Sequence, residues 1–311
     1  MATRSKRVLL TGARGFTGVH LRRELETAGY TVIGLVHESA AGDHEFFADL
    51  RDASATRDAI RATSPDHVIH LAAISFVGHA NVDELYTTNV LGTVHLLEAL
   101  ASADHRPERV VLASSANVYG DVRTALVGED SPPQPANHYA ATKVAMEAAA
   151  QVYRSTLPIT ITRPFNYTGP GQAGHFVVPK IVEHFARRAS RIELGNLDVV
   201  RDFLDVRVVA TLYRQLLECD AAVSQVINLC SGRGIDLGGI IAKLEEITGH
   251  SLVVEVNPAF VRGNELKRLV GSNARLLGLV GNLPDLPFER TLRDMVTSAA
   301  ANPHHELHRG Q

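Results

Sequence analysis

One octapeptide near the start of the chain, Thr11-Gly12-Ala13-Arg14-Gly15-Phe16-Thr17-Gly18, limits the folds open to this protein more than any other stretch. It follows the apolar run Arg7-Val8-Leu9-Leu10 and leads into residues at helical spacing from Val19 to Thr27, so the chain reads strand, glycine turn, helix. The glycines match G-x-x-G-x-x-G. Small residues there let a backbone come close to a pyrophosphate, and the start of the next helix stabilises its negative charge. A glycine turn alone is a weak signal, but between a strand and an amphipathic helix it reads as dinucleotide-binding. Gly12, Arg14, Gly15, Phe16, Thr17 and Gly18 are its candidate contacts.

The alternation begun there continues to residue 165. Strand-like runs at 31–36, 68–73, 109–113 and 157–162, with a third apolar stretch before Asp49, are separated by helical patterns at 82–103 and 139–155. Such alternation predicts an α/β fold, a doubly wound parallel sheet of the Rossmann type with helices on both faces. Beyond residue 165 the alternation loosens, as expected of a smaller C-terminal unit closing over the first. There a basic helix is expected over 179–191 and another over 237–248.

In such a sheet the end of the second strand faces the adenosine ribose, and an acid there favours NAD. That place holds Val36, followed by His37 and Glu38, while Arg14 inside the turn offers a guanidinium to a 2′-phosphate. The balance favours NADP(H), with NAD(H) possible because of Glu38. Asp49 and Leu50 are placed to meet the adenine edge, although Asp52 reads equally as a helix N-cap. Leu71, Ala72 and Ala73 end a strand in residues small enough for a cofactor to cross. His70 just before them reads most simply as a strand histidine with a satisfied ring. Asn89, in the middle of the 82–103 pattern, either holds a backbone group near the site or lies at a helix interface.

Chemistry is expected at Asn137-His138-Tyr139-Ala140-Ala141-Thr142-Lys143, which sets a phenol and an ammonium four residues apart, on one face of a helix. A cation near a phenol stabilises the phenolate, so Lys143 is expected to lower the Tyr139 pKa. Ser114-Ser115-Ala116-Asn117 follows the 109–113 strand at its carboxyl end, where ligands bind in open parallel sheets. Arg201 and Arg262 can each clamp a phosphate oxygen, or equally form surface ion pairs.

Composition excludes other classes. A net charge of −3 and a pI near 6.6 give no electrostatic reason to expect nucleic acid or a membrane surface as partner. Two cysteines, Cys219 and Cys230, make neither a disulfide framework nor a zinc site. His304, His305 and His308 lie in a polar tail, so no metal is expected. No apolar stretch has the roughly 20 residues of a spanning helix. The short polar N-terminus runs straight into a strand, so no signal peptide and a cytoplasmic location are expected.

Taken in order, the Gly12 to Gly18 turn, His70-Leu71-Ala72-Ala73, Asn89, Ser114-Ser115, Tyr139 with Lys143, and Arg163-Pro164-Phe165-Asn166 resemble the extended short-chain dehydrogenases/reductases. This is the NAD-dependent epimerase/dehydratase family, which remodels nucleotide-activated sugars, and the likeness runs from about residue 6 to 295. It implies Ser115, Tyr139 and Lys143 as the catalytic set. It implies cofactor contacts at the turn and at His37, Asp49, Leu50, Leu71, Ala72, Ala73, Asn89, Tyr139, Lys143 and Pro164. For a nucleotide sugar it implies Ser115, Asn117, Asn166, Val178, Lys180, Asn196, Arg201, Arg262 and Glu265. The domains it implies are a dinucleotide-binding Rossmann domain over 1–165, with a return segment near 201–231, and a nucleotide-sugar domain formed mainly by 166–311. A homodimer joined through helices 82–103 and 139–155 is expected.

Leu194-Gly195-Asn196-Leu197-Asp198, Arg201-Asp202 and Arg262-Gly263-Asn264-Glu265 are similar to the GDP-mannose branch, which contains a 4,6-dehydratase and a 4-keto-sugar reductase. The family's dehydratases place a carboxylate two residues after the catalytic Ser or Thr, and here that place holds Asn117. An amide exchanges no protons near neutral pH, so dehydration is disfavoured. The expected activity is reduction of GDP-4-dehydro-6-deoxy-D-mannose to GDP-D-rhamnose by NAD(P)H. The alternatives are a 4-epimerase with tightly held NAD and a non-catalytic dinucleotide sensor.

Overall fold

The run at 7–10 forms strand β1 (Arg7–Thr11), and its Val8, Leu9 and Leu10 are fully buried because helices cover both faces of its sheet. This computed structural model describes residues 5–38, 42, 44–122, 124–260 and 266–301. From β1 the chain continues through α1 (Phe16–Thr27), β2 (Thr31–Val36), β3 (Glu45–Phe47), α2 (Ala53–Thr63) and β4 (His67–His70). Next come α3 (Val82–Tyr86), a π-helical turn (Thr87–Leu91), α4 (Gly92–Ala101), β5 (Arg109–Ala113), a 3-10 turn (Ala116–Tyr119), α5 (His138–Val152) and β6 (Ile159–Pro164).

The remainder comprises β7 (Asn166–Thr168), α6 (Val177–Ala186), β8 (Arg191–Leu194), β9 (Val200–Asp205), α7 (Val206–Glu218) and β10 (Val226–Leu229). After these come β11 (Gly234–Ile235), α8 (Leu237–Thr248), β12 (Val253–Val256), β13 (Arg268–Leu269), α9 (Ala274–Val280) and α10 (Phe288–Ala301). Seven strands form a parallel sheet in the order β10-β6-β5-β4-β1-β2-β3. The order reverses between β1 and β4, which opens a crevice at their carboxyl ends.

Each face of that sheet has its own core. On one, Leu21 and Leu25 of α1 pack with Val209, Leu212 and Leu216 of α7 and Leu276 of α9. On the other, Ile60 of α2, Leu96, Leu97 and Leu100 of α4, and Met146 and Ala150 of α5 pack together. A third core joins Ile181 and Phe185 of α6, Leu244 of α8 and Leu292 of α10 over β8 and β9. The chain thus leaves the large sheet after Pro164 and returns to it through α7 and β10, and α9 packs there too.

The 82–103 pattern is not one helix. It opens into the π-helical turn around Asn89, which is 1% exposed and needs its amide directed inward at Ile74. The basic helix starts at Val177, two residues before Pro179, and ends by Arg188, whose φ is 51°. Helix α8 covers 237–248 as expected.

Candidate active site

The glycine turn lies in the β1/β4 crevice and has no room for side chains. Gly12 has φ 67°, and a Cβ there would lie 2.9 Å from the Ala72 nitrogen; one on Gly18 would lie 2.8 Å from the Ala13 backbone. No side chain caps the first turn of α1 at Gly15. Bare backbone, an uncapped helix start and a close strand end together fit a dinucleotide pyrophosphate.

Ser115 sits at the start of the 3-10 turn after β5, and α5 carries Tyr139 and Lys143. Helix α5 starts where it does because the Asn137 side chain accepts the Ala140 N–H at 2.9 Å. Its buried residues Tyr139, Lys143, Met146, Glu147 and Ala150 follow one helical face. Ser115 Oγ accepts from both Asn117 N and Asn117 Nδ2 at 3.2 Å, which leaves the hydroxyl proton to point elsewhere.

The expected depression of the Tyr139 pKa is corrected by the structure. Burial pushes Tyr139 up to about 12, the Ser115 hydroxyl pulls it back, and Tyr167 pushes it further up. Lys143 spends its ammonium on the Ala113 carbonyl at 2.8 Å and stands 6.0 Å from the Tyr139 ring centre. Burial pushes Lys143 down to about 8, against the raising charge of Glu147. Desolvation is the largest influence on both groups. Tyr139 is therefore a protonated phenol at neutral pH.

A buried chain of hydrogen bonds runs from strand β1 to helix α5. Thr11 Oγ1 accepts the Leu71 and Ala72 N–H groups at 3.1 and 3.0 Å, so its own proton goes to His70 Nδ1 at 2.7 Å. His70 then donates from Nε2 to Thr93 at 2.9 Å, and Thr93 to the Asn89 carbonyl at 2.8 Å. The Asn89 side chain accepts from Ile74 N and donates to Ile74 O and to Thr142 Oγ1, which donates to the Tyr139 carbonyl. His70 is held neutral, with burial and then the charge of Lys143 lowering its pKa to about 3. Asn89 thus holds a backbone group and joins two helices as well.

Sequence reasoning passed over Glu147 and Tyr167. Glu147 lies four residues beyond Lys143 on the same face, and that spacing was its available signal; it accepts from Ser114 and from Arg163 of β6. The Tyr167 hydroxyl hydrogen-bonds Thr17 at 2.8 Å, and its ring stacks on Phe16 with centres 6.2 Å apart, tying the glycine turn to β7.

The remaining candidates divide. His37 is exposed at the end of β2, and Pro164 ends β6. Asp52 caps α2 through Ser54 N and Ala55 N, and the Asp49 carboxylate is taken by Arg51, whose guanidinium holds its pKa low. Leu50 is buried, its carbonyl within 2.8 Å of His95 Nδ1. Asn166 pairs with Phe203 in β7–β9, two residues along β9 from the half-buried Arg201. Val178 is packed inside the third core, so its side chain is occupied by packing. Lys180 donates to the Glu193 carbonyl at 2.8 Å and lies over the Phe260 ring. Asn196 is half-buried after β8, and Arg262 and Glu265 lie outside the described residues. Among the described residues no group of three His, Cys, Asp or Glu could hold a metal ion, and no helix is long and apolar enough to cross a membrane.

A sequence profile of the NAD dependent epimerase/dehydratase family matches residues 8–230. The chain is 35% identical over 286 residues to GDP-6-deoxy-D-talose 4-dehydrogenase of Aggregatibacter actinomycetemcomitans, covering 89% of this chain and 92% of that protein. It is 34% identical over 306 residues to GDP-6-deoxy-D-mannose reductase of Pseudomonas aeruginosa, covering 94% and 97%. A solved structure of RMD from Pseudomonas aeruginosa complexed with NADPH superposes with a TM-score of 0.84 at 31% identity, covering 96% of this chain and 98% of that one. By these likenesses the chain belongs to the NAD dependent epimerase/dehydratase family and is an NAD(P)-dependent oxidoreductase of the extended short-chain dehydrogenase/reductase type.

Proposed function

We propose that the protein reduces GDP-4-dehydro-6-deoxy-D-mannose at sugar C4 to GDP-D-rhamnose, with NADP(H) favoured and NAD(H) accepted. The bound dinucleotide supplies the hydride. Tyr139, protonated at neutral pH, gives its proton to the C4 oxygen as charge develops there. Ser115, with its acceptor positions occupied by Asn117, donates its proton in a hydrogen bond to the same oxygen. Lys143 places a positive charge in the buried site and stabilises the phenolate left behind. Asn166 and Arg201 hold the nucleotide sugar.

The observation that carries this reading is Asn117 bound to Ser115. It puts an amide where the family's dehydratases keep an acid, leaving Tyr139 as the proton donor. The 35% identical relative, named for GDP-6-deoxy-D-talose, supports a second reading in which the product is the C4 epimer of GDP-D-rhamnose. The face of C4 that takes the hydride separates the two. A 4-epimerase would return its hydride and consume no cofactor.

The test is incubation with NADPH or NADH and a panel of 4-keto nucleotide sugars, following reduced-nicotinamide absorbance, product mass and the configuration at C4. Cofactor loss with a product heavier by two hydrogens supports reduction. Interconversion of C4 epimers without cofactor loss would sink it. A homodimer goes with this reading: Leu91 and Val152, on the helical layer beside α4 and α5, are 49% and 75% exposed. The free thiols Cys219 and Cys230 suit a cytoplasmic setting.

A further inference from the structure

We propose that Glu45 sets the choice between NADP(H) and NAD(H) by competing with the 2′-phosphate for Arg14. The inference rests on the dinucleotide reading of the glycine turn. Arg14 leaves that turn and reaches the start of β3, where its Nη2 meets Glu45 Oε2 at 2.5 Å and its Nε meets Oε1 at 3.1 Å. Glu45 is placed beside the end of β2 by strand register, opposite Gly34.

Gly34 explains why this cluster can form. A Cβ there would lie 2.9 Å from the Ala13 side chain and would also strike the Arg22 guanidinium. Its absence leaves a notch that Arg22 fills, with a buried Nη2 that has no hydrogen-bond partner and lies 4.0 Å from Glu45 Oε1. Glu45 therefore serves two guanidinium groups, while Glu38 stands 3.8 Å from Arg14.

Arg14 gives its Nε–Nη2 edge to Glu45, and that bidentate edge takes one carboxylate or one phosphate at a time. To take a 2′-phosphate on that edge, Arg14 has to leave Glu45, and the phosphate meets the negative charge of Glu45 and Glu38. A ribose 2′-hydroxyl makes neither demand. Glu45 thus offsets the advantage that Arg14 alone would give NADP(H), and removing its charge takes the carboxylate from the Nε–Nη2 edge of Arg14 and from beside Arg22.

The test is calorimetric titration of the wild type, Glu45→Gln, Arg14→Gln and the double variant with NADPH and NADH, and with 2′,5′-ADP and 5′-AMP as fragments. Glu45→Gln should shift the ratio of the two dissociation constants toward the 2′-phosphorylated ligand by about tenfold. Arg14→Gln should shift it the other way, and the double variant should lose the gain. An unchanged ratio in Glu45→Gln or in Arg14→Gln overturns the proposal. Circular dichroism reports whether each variant folds, and if Glu45→Gln does not, the Arg14→Gln ratio decides. A wild type that binds none of the four ligands overturns the dinucleotide reading itself, a result distinct from an unmoved ratio.

Discussion

Glu147 accepts Arg163 Nη2 at 2.7 Å and Nε at 2.9 Å, one helical turn beyond Lys143 on α5. Both side chains are nearly buried, and Arg163 also donates to the Tyr119 hydroxyl at 3.0 Å, which donates to Asn228 of β10 at 2.6 Å. Helix α5 is thereby fastened to the ends of β6 and β10. Removing one charge of a buried pair strands the other, so Glu147→Gln should cost about 3 kcal/mol or more in denaturant unfolding. Because Glu147 raises the Lys143 pKa, the alkaline limb of the kcat profile should also move to lower pH. A merely structural role would leave that limb in place.

Tyr139→Phe should lower kcat by about 10²-fold or more while leaving the dinucleotide dissociation constant close to that of the wild type. Turnover near the wild-type rate would remove Tyr139 from the mechanism.

Burial lowers Lys143 from 10.5 to about 8, so between those values the unfolded chain holds this proton and the folded protein does not. The Lys143 contribution to stability therefore rises with pH from about 8 and is lost as pH falls through that value. Unfolding free energies of the wild type and Lys143→Met should move apart in the wild type's favour above pH 8, compared below the 10.0 at which an ordinary tyrosine ionises. The kcat should fall over the same range as the ammonium loses its charge.

Gly18→Ala inserts a methyl group against the backbone of the turn, 2.8 Å from Ala13, where nothing flexible can yield. We expect a loss of about 1–3 kcal/mol in stability and weaker NADPH binding by titration. Unaltered binding would show that the turn is not the pyrophosphate cradle.

Asn89→Leu leaves Ile74 N, Ile74 O and Thr142 without their side-chain partner. A cost of about 1–3 kcal/mol is expected in unfolding, with a lower kcat because Thr142 holds the Tyr139 carbonyl. A variant as stable and active as wild type would break the link between the 70–74 segment and α5.

The features legible in the sequence are those set by local periodicity. The strand, glycine turn and helix of residues 7–27, the alternation to residue 165, and the Tyr139-Lys143 spacing all follow from repeats of two or 3.6 residues and from the room that glycine leaves. These determined the parallel sheet, the crevice between β1 and β4 and the placing of phenol and ammonium on one helix face. Tertiary structure decided the rest. Tyr139 is raised rather than lowered because burial depends on what packs over the helix, and spacing carries no information about desolvation. Arg14 is occupied by a carboxylate 31 positions away, brought near by strand register. Asn89 opens its helix because its amide must reach Ile74. Spacing along the chain fixes which groups share a face, but charge and proton affinity depend on neighbours and water, which only the folded arrangement specifies.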